Sequence, residues 1–134
     1  MCWKCIHGAA LMIPSGPNEH LFTVALGPIV LNGHGNDPQV IVVSFSSIKP
    51  GLPYDTSCVV AAGAHPFITR DSFVYYREPR MYTVQELETR VASGQWRAEE
   101  NCSQTLMQQV VAGFRLSRRL PRHFNEVLDA LNIS

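Results

Sequence analysis

Gln39-Val40-Ile41-Val42-Val43-Ser44-Phe45-Ser46 decides the fold. Val40 to Val43 are four β-branched residues in a row. A branched Cβ crowds the helical turn but packs well on a pleated surface, so the run favours extended backbone. A half-exposed strand would alternate apolar with polar residues. An unbroken run reads instead as a strand buried on both faces. Loops bound it on either side. Asn32-Gly33-His34-Gly35-Asn36-Asp37-Pro38 precedes it and Lys49-Pro50-Gly51-Leu52-Pro53 follows, and nearly every residue there tolerates or demands turn geometry.

Upstream of this strand, His20 to Leu26 is rich in β-branched and aromatic residues and reads as a second strand. Gly27-Pro28 punctuates it, with Ile29 to Leu31 as a continuation of the sheet. Ala10 to Ile13 is a short candidate strand before Pro14, Gly16 and Pro17. Downstream, Ser57 to Ala61 is a short strand, Gly63 to Pro66 a turn, and Ser72 to Tyr76 a strand. Short strands at close spacing point to a small barrel or sandwich. The period then changes. Thr83-Val84-Gln85-Glu86 is a capping box. Val84, Leu87 and Val91 follow at helical spacing, and Gly94 can end that helix in a left-handed conformation. Ser103 can cap a second helix with Leu106, Met107, Val110, Val111 and Phe114 on its apolar face. Pro121 stops it and opens a third, with Phe124, Val127, Leu128 and Leu131 as its stripe. The expectation is one α+β domain over 1–134, strand-rich and barrel-like over about 10–82, followed by two or three short C-terminal helices over about 83–134.

A chain of 134 residues, 46% hydrophobic and 16% charged, has a globular balance and can build a core without disulfides or metal. No apolar run approaches the roughly 18 residues of a membrane span, and Val40 to Phe45 is only strand-sized, so no membrane span or membrane partner is expected. The start of the chain lacks a long apolar stretch and does not read as a signal peptide, which makes the cytoplasm the default compartment. Net charge is zero but uneven: residues 69–134 carry nine arginines against eight acids. A strongly basic nucleic-acid binder would show more excess, although a local patch is compatible with this balance.

Cys2-Trp3-Lys4-Cys5 has the spacing of half a zinc site or a redox pair, with His7 nearby. Cys58 and Cys102 stand alone and far away, so two free thiols at a terminus is the plainer reading, and no cofactor or metal is expected. Among the histidines, His20 opens a strand and His65 precedes Pro66 in a turn. Both positions suit a barrel rim, where each serves either proton transfer or structure. The loop around His34 lacks the Lys-Ser/Thr of a phosphate cradle. Arg70, Arg77 and Arg80 flank the strand that carries Tyr75 and Tyr76, with Tyr82 beyond. Arginine interleaved with aromatics clamps phosphates and stacks bases, or here forms surface ion pairs with Asp71 and Glu78. Arg115, Arg118, Arg119 and Arg122 with His123 are a solvated helix end or a contact for nucleic acid or an acidic partner.

Leu21 to Leu26, Val40 to Ser47, and Asp71-Ser72-Phe73-Val74-Tyr75-Tyr76-Arg77 with Arg80 follow one another in an order that resembles the MazF/PemK family of toxin-like proteins. The likeness spans roughly 20–90 and is strongest to bacterial and phage relatives with a His-Pro-Phe-Ile block, here His65-Pro66-Phe67-Ile68. It implies an SH3-like barrel, metal-free cleavage of single-stranded RNA, and an antitoxin-like protein or a second copy as partner. The family's hydroxyl position falls on Ser46 or Ser47. Its loop arginine has no counterpart, because Glu19-His20-Leu21 stands where Arg-Pro would be. The expected site is therefore His20 as base, with Ser46, Ser47, Arg77 and Arg80 around the phosphate and His65, Arg70, Tyr75 and Tyr76 on the substrate. The alternative is a barrel without this chemistry, a non-enzymatic protein-interaction module.

Overall fold

A computed structural model describes residues 3–31, 33 and 35–133; Cys2 and His34, singled out above, lie outside them. β1 (Ala10–Ser15) and β2 (Asn18–Ile29) form a hairpin across Gly16 and Pro17. Next come β3 (Gln39–Ser47), β4 (Val59–Val60), β5 (Ser72–Thr83) and α1 (Val84–Ala92). β6 (Arg97–Glu99), α2 (Gln104–Leu116) and α3 (Phe124–Ala130) complete the chain. The strands make one antiparallel, curled sheet in the order β4-β5-β3-β2-β1-β6, an open half-barrel. Among the described residues no helix is long and apolar enough to cross a membrane.

The run Val40 to Val43 is buried on both faces, as its unbroken apolar character implies. Val40 and Val42 pack with Leu11, Val24, Leu87 and Trp96 under α1. Ile41, Val43 and Phe45 face the opposite way, against Met107 and Phe114 of α2 and Leu128 of α3. Each such side chain contributes about 1.5–3 kcal/mol relative to exposure. The sheet is therefore a central layer between two helical covers, and β3 is its middle.

Four sequence expectations are corrected. Gly27-Pro28 does not break β2, which passes through it and continues the sheet to Ile29, short of Leu31. Gly27 has φ of 90°, and a Cβ there would fall 2.6 Å from the Gln39 carbonyl oxygen, so only glycine lets the bent strand stay against β3. The strand at Ser57 to Ala61 shrinks to Val59–Val60. β5 runs on from Tyr76 to Thr83, because a bulge absorbs Pro79, which cannot donate to a ladder. Lastly, the part after Thr83 is not wholly helical. Arg97–Glu99 returns to pair with Ala10 to Met12 at the sheet edge.

The helix signals fare better. The Thr83 hydroxyl accepts the Glu86 amide at 3.0 Å, and the Ser103 hydroxyl accepts the Leu106 amide at 3.1 Å. The Glu86 carboxylate lies 3.6 Å from Arg90, so it forms an ion pair along the helix. Gly94, with φ of 80°, follows α1, and its amide bonds the Val91 carbonyl. α2 ends at Leu116, which leaves only Arg115 of the basic run within the helix.

Candidate active site

Along β3 the α1-facing positions read Val40, Val42, Ser44, Ser46. The apolar character ends after Val42 and hydroxyls follow. β2 matches it: Val24 and Phe22 are buried on this face, and half-buried His20 comes next. The two strands are in register there, with Phe22 opposite Ser44. This end of the sheet face thus carries polar groups instead of a helix-covered core.

β5 supplies the third wall. Tyr75 pairs with Ser44, and Arg80 pairs with Val42. Between these pairs β3 contributes Val43 alone, whereas β5 contributes Tyr76, Arg77, Glu78 and Pro79. The excess chain bulges out of the ladder and re-aims its side chains, as bulges beside functional sites do. The result is a cleft of about 130 Å³ lined by His20, Phe22, Ser44, Ser46, Tyr75, Glu78 and Arg80. That is the volume of about four liquid waters, suited to a phosphate-sized group. The Arg80 guanidinium lies 4.8 Å above the Phe22 ring, a cation–π contact that holds the charge at the cleft. Among the described residues Arg80 is in no ion pair, so its charge is not already neutralised by a carboxylate.

Of the residues expected at the site, His20, Ser46, Tyr75 and Arg80 therefore meet in one cleft. Ser47 lies in an adjoining cleft that shares His20 and Ser46. Arg77 and Arg70 are exposed and line neither. Neither arginine pairs with Asp71, whose carboxylate instead accepts the Ala62 amide at 3.0 Å.

Two substrate-contact assignments are corrected. Tyr76 is fully buried, and its hydroxyl donates to the Val110 carbonyl of α2 at 2.6 Å. Burial pushes its phenol well above the ordinary range. His65 is also buried, with Nε2 2.6 Å from the Glu100 carbonyl oxygen and Nδ1 accepting the Phe67 amide at 3.1 Å. Both of its nitrogens are engaged in holding loops together. Sequence reading had no local signal for either burial, since the Val110 and Glu100 carbonyls lie 34 and 35 residues away along the chain.

Glu78, Ser44 and Phe22 were missed. Period-two counting from His20 and from Val42 reaches Phe22 and Ser44. Glu78 next to Pro79 in a strand-like segment is the mark of a bulge. At the other end of the chain, Cys5 is buried, and its amide donates to Glu88 at 2.9 Å. Burial, with the neighbouring Glu88 charge, pushes its thiol up to about 12. The thiol is thus held protonated at neutral pH, which disfavours it as a nucleophile. Among the described residues no group of three His, Cys, Asp or Glu side chains is placed to hold a metal ion.

Comparison of the chain with protein-family models, with curated proteins and with solved structures returns no match.

Proposed function

We propose that this protein is a divergent MazF/PemK-like endoribonuclease that cuts single-stranded RNA without a metal, its curled sheet a variant of that family's SH3-like barrel. The observation that carries this reading is the meeting of a histidine, a carboxylate, a guanidinium and two serine hydroxyls from three strands in one small cleft. RNA transesterification calls for a base, an acid and donors to the phosphate, and this set supplies all three. Arg80 binds the non-bridging oxygens of the scissile phosphate, helped by the hydroxyls of Ser44 and Ser46. Glu78 takes the proton from the ribose 2′-hydroxyl. The 2′-oxygen attacks phosphorus, the bond from phosphorus to the 5′-oxygen breaks, and His20 as imidazolium gives its proton to that leaving oxygen. The products are a 2′,3′-cyclic phosphate and a free 5′-hydroxyl. With a carboxylate in the cleft to act as base, His20 is assigned the acid role in place of the base role expected from sequence.

The test is cleavage of mixed-sequence single-stranded RNA in excess chelator by wild type, His20→Ala and Glu78→Gln. Each variant is expected to lose on the order of 10²–10⁴ in kcat with its melting temperature kept. Both side chains are at least partly exposed, so neither should be needed for folding. Wild-type rates in both variants would defeat the proposal. A folded wild-type protein that leaves RNA intact would favour the non-enzymatic module.

A further inference from the structure

The block His65-Pro66-Phe67-Ile68 is anchored on both sides of Phe67. His65 is 2% exposed and Ile68 3% exposed. Because His65 Nδ1 accepts the Phe67 amide, Nε2 carries the proton and donates to Glu100. The Ile68 amide closes the turn onto the His65 carbonyl at 2.9 Å, and the Gly63 amide meets the Ile68 carbonyl at 2.7 Å. Phe67 itself is left 48% exposed. A loop pinned this firmly could have tucked an aromatic ring away. Here it presents one.

The ring walls a cleft of about 430 Å³ at the end of the sheet, within the size range of small-ligand sites. His20 and Ser46 line this cleft and the smaller one alike, so the two meet at those side chains, while Met12, Leu21 and Phe45 from the α2-facing side also line the larger. Its remaining lining includes Asn18, Ser47 and Lys49. Glu19 also reaches it, but Arg97 binds that carboxylate at 3.4 Å, which tempers its repulsion of an anion. Arg97 lies 5.8 Å from the Phe67 ring centroid and is held from the other side by Glu99 at 2.9 Å.

Resting on the cleavage reading above, we infer that Phe67 is the stacking platform for the nucleobase next to the scissile phosphate of single-stranded RNA. Lys49 meets the flanking phosphate, and Asn18 supplies both a donor and an acceptor for the base edge. His65 is a positioning residue, acting only through the Phe67 loop. A flat aromatic ring in one cleft with a cation and an amide, sharing His20 and Ser46 with a phosphate-sized cleft, fits a nucleotide better than an apolar peptide. Every base has a π-face, so this platform tolerates sequence while the amide selects.

The test uses two readouts on wild type, Phe67→Ala and Phe67→Trp. One is fluorescence anisotropy with a labelled single-stranded DNA decamer, which offers bases and phosphates but no 2′-hydroxyl. The other is steady-state cleavage of the matching RNA. Phe67→Ala is expected to raise Kd and KM roughly five- to one-hundred-fold with kcat kept, and Phe67→Trp to restore both. Cleavage by wild type together with unchanged Kd and KM in Phe67→Ala would overturn the inference and leave the cleavage reading standing. Folded wild type that neither cuts RNA nor binds the decamer would remove both.

Discussion

Gly113 owes its place in α2 to a tyrosine on the sheet. The Tyr76 ring packs edge-on against Phe114 at 4.9 Å, and its hydroxyl bonds the Val110 carbonyl. A Cβ on Gly113 would collide with the phenol oxygen and crowd the ring carbons behind it. Helix propensity alone favours alanine over glycine by about 1 kcal/mol. Overpacking a filled core costs about 1–3 kcal/mol, so the space argument wins. Gly113→Ala should lower the melting temperature, and adding Tyr76→Phe should recover part of the loss by removing the nearest atom. A Gly113→Ala protein that melts at or above wild type would contradict this. The residue scale is also where sequence was least legible. The alternation of Phe73 and Tyr75 with Val74 and Tyr76 was plain, yet both sides carry a tyrosine. Which one faces inward depends on a helix that begins at Gln104. His20 and His65 looked equivalent for the same reason: only a distant carbonyl separates the structural histidine from the one in the cleft.

Elements are joined here by a buried carboxylate that sequence reading passed over. Asp55 lies in the long loop between β3 and β4. It accepts the Ser57 amide at 3.0 Å and the Ser57 hydroxyl at 2.6 Å. Its other oxygen accepts the Ser117 hydroxyl at 2.5 Å, which ties the loop to the C-cap of α2. Burial alone would raise the Asp55 carboxyl. The hydroxyls of Ser117 and Ser57, the Ser57 amide and the Arg119 charge outweigh it and hold the group below the usual carboxylate range. A folded value below the unfolded one means stability that is present above the ordinary carboxylate range and lost as pH falls through it. Melting temperature measured from about pH 6 down to pH 3 should therefore fall in wild type. Asp55→Asn should melt lower at pH 6 and lose part of that slope; an unchanged slope would sink the account. Strands and helices with strong local signals, β2, β3 and all three helices, were legible because periodicity and caps are written in neighbouring residues. β6 was not, since Arg97, Ala98 and Glu99 have no strand-like pattern and are held only by pairing with β1. The β5 bulge escaped notice because a register shift belongs to two strands at once.

The whole molecule is a curled sheet with unequal covers. α2 and α3 fill one face as far as Phe45, whereas α1 and Trp96 stop at Val42 on the other. The uncovered end is the cleft, and the inequality of covers is why polar side chains converge there. The α+β class and the burial of Val40 to Val43 on both faces could be read in advance. The strand order could not, because a return strand after α1 has no local signature. The lining of the cleft was legible in part: His20, Ser46, Tyr75 and Arg80 were named from sequence, while Glu78 came from the bulge. The most direct measurement gives wild-type protein, in excess chelator, a DNA strand containing one ribonucleotide, beside the all-DNA strand. The account predicts a single cut on the 3′ side of that ribose, leaving a 2′,3′-cyclic phosphate, and no cut in the all-DNA strand. Cutting of the all-DNA strand, or no cut at the ribose by protein shown to be folded, would contradict it.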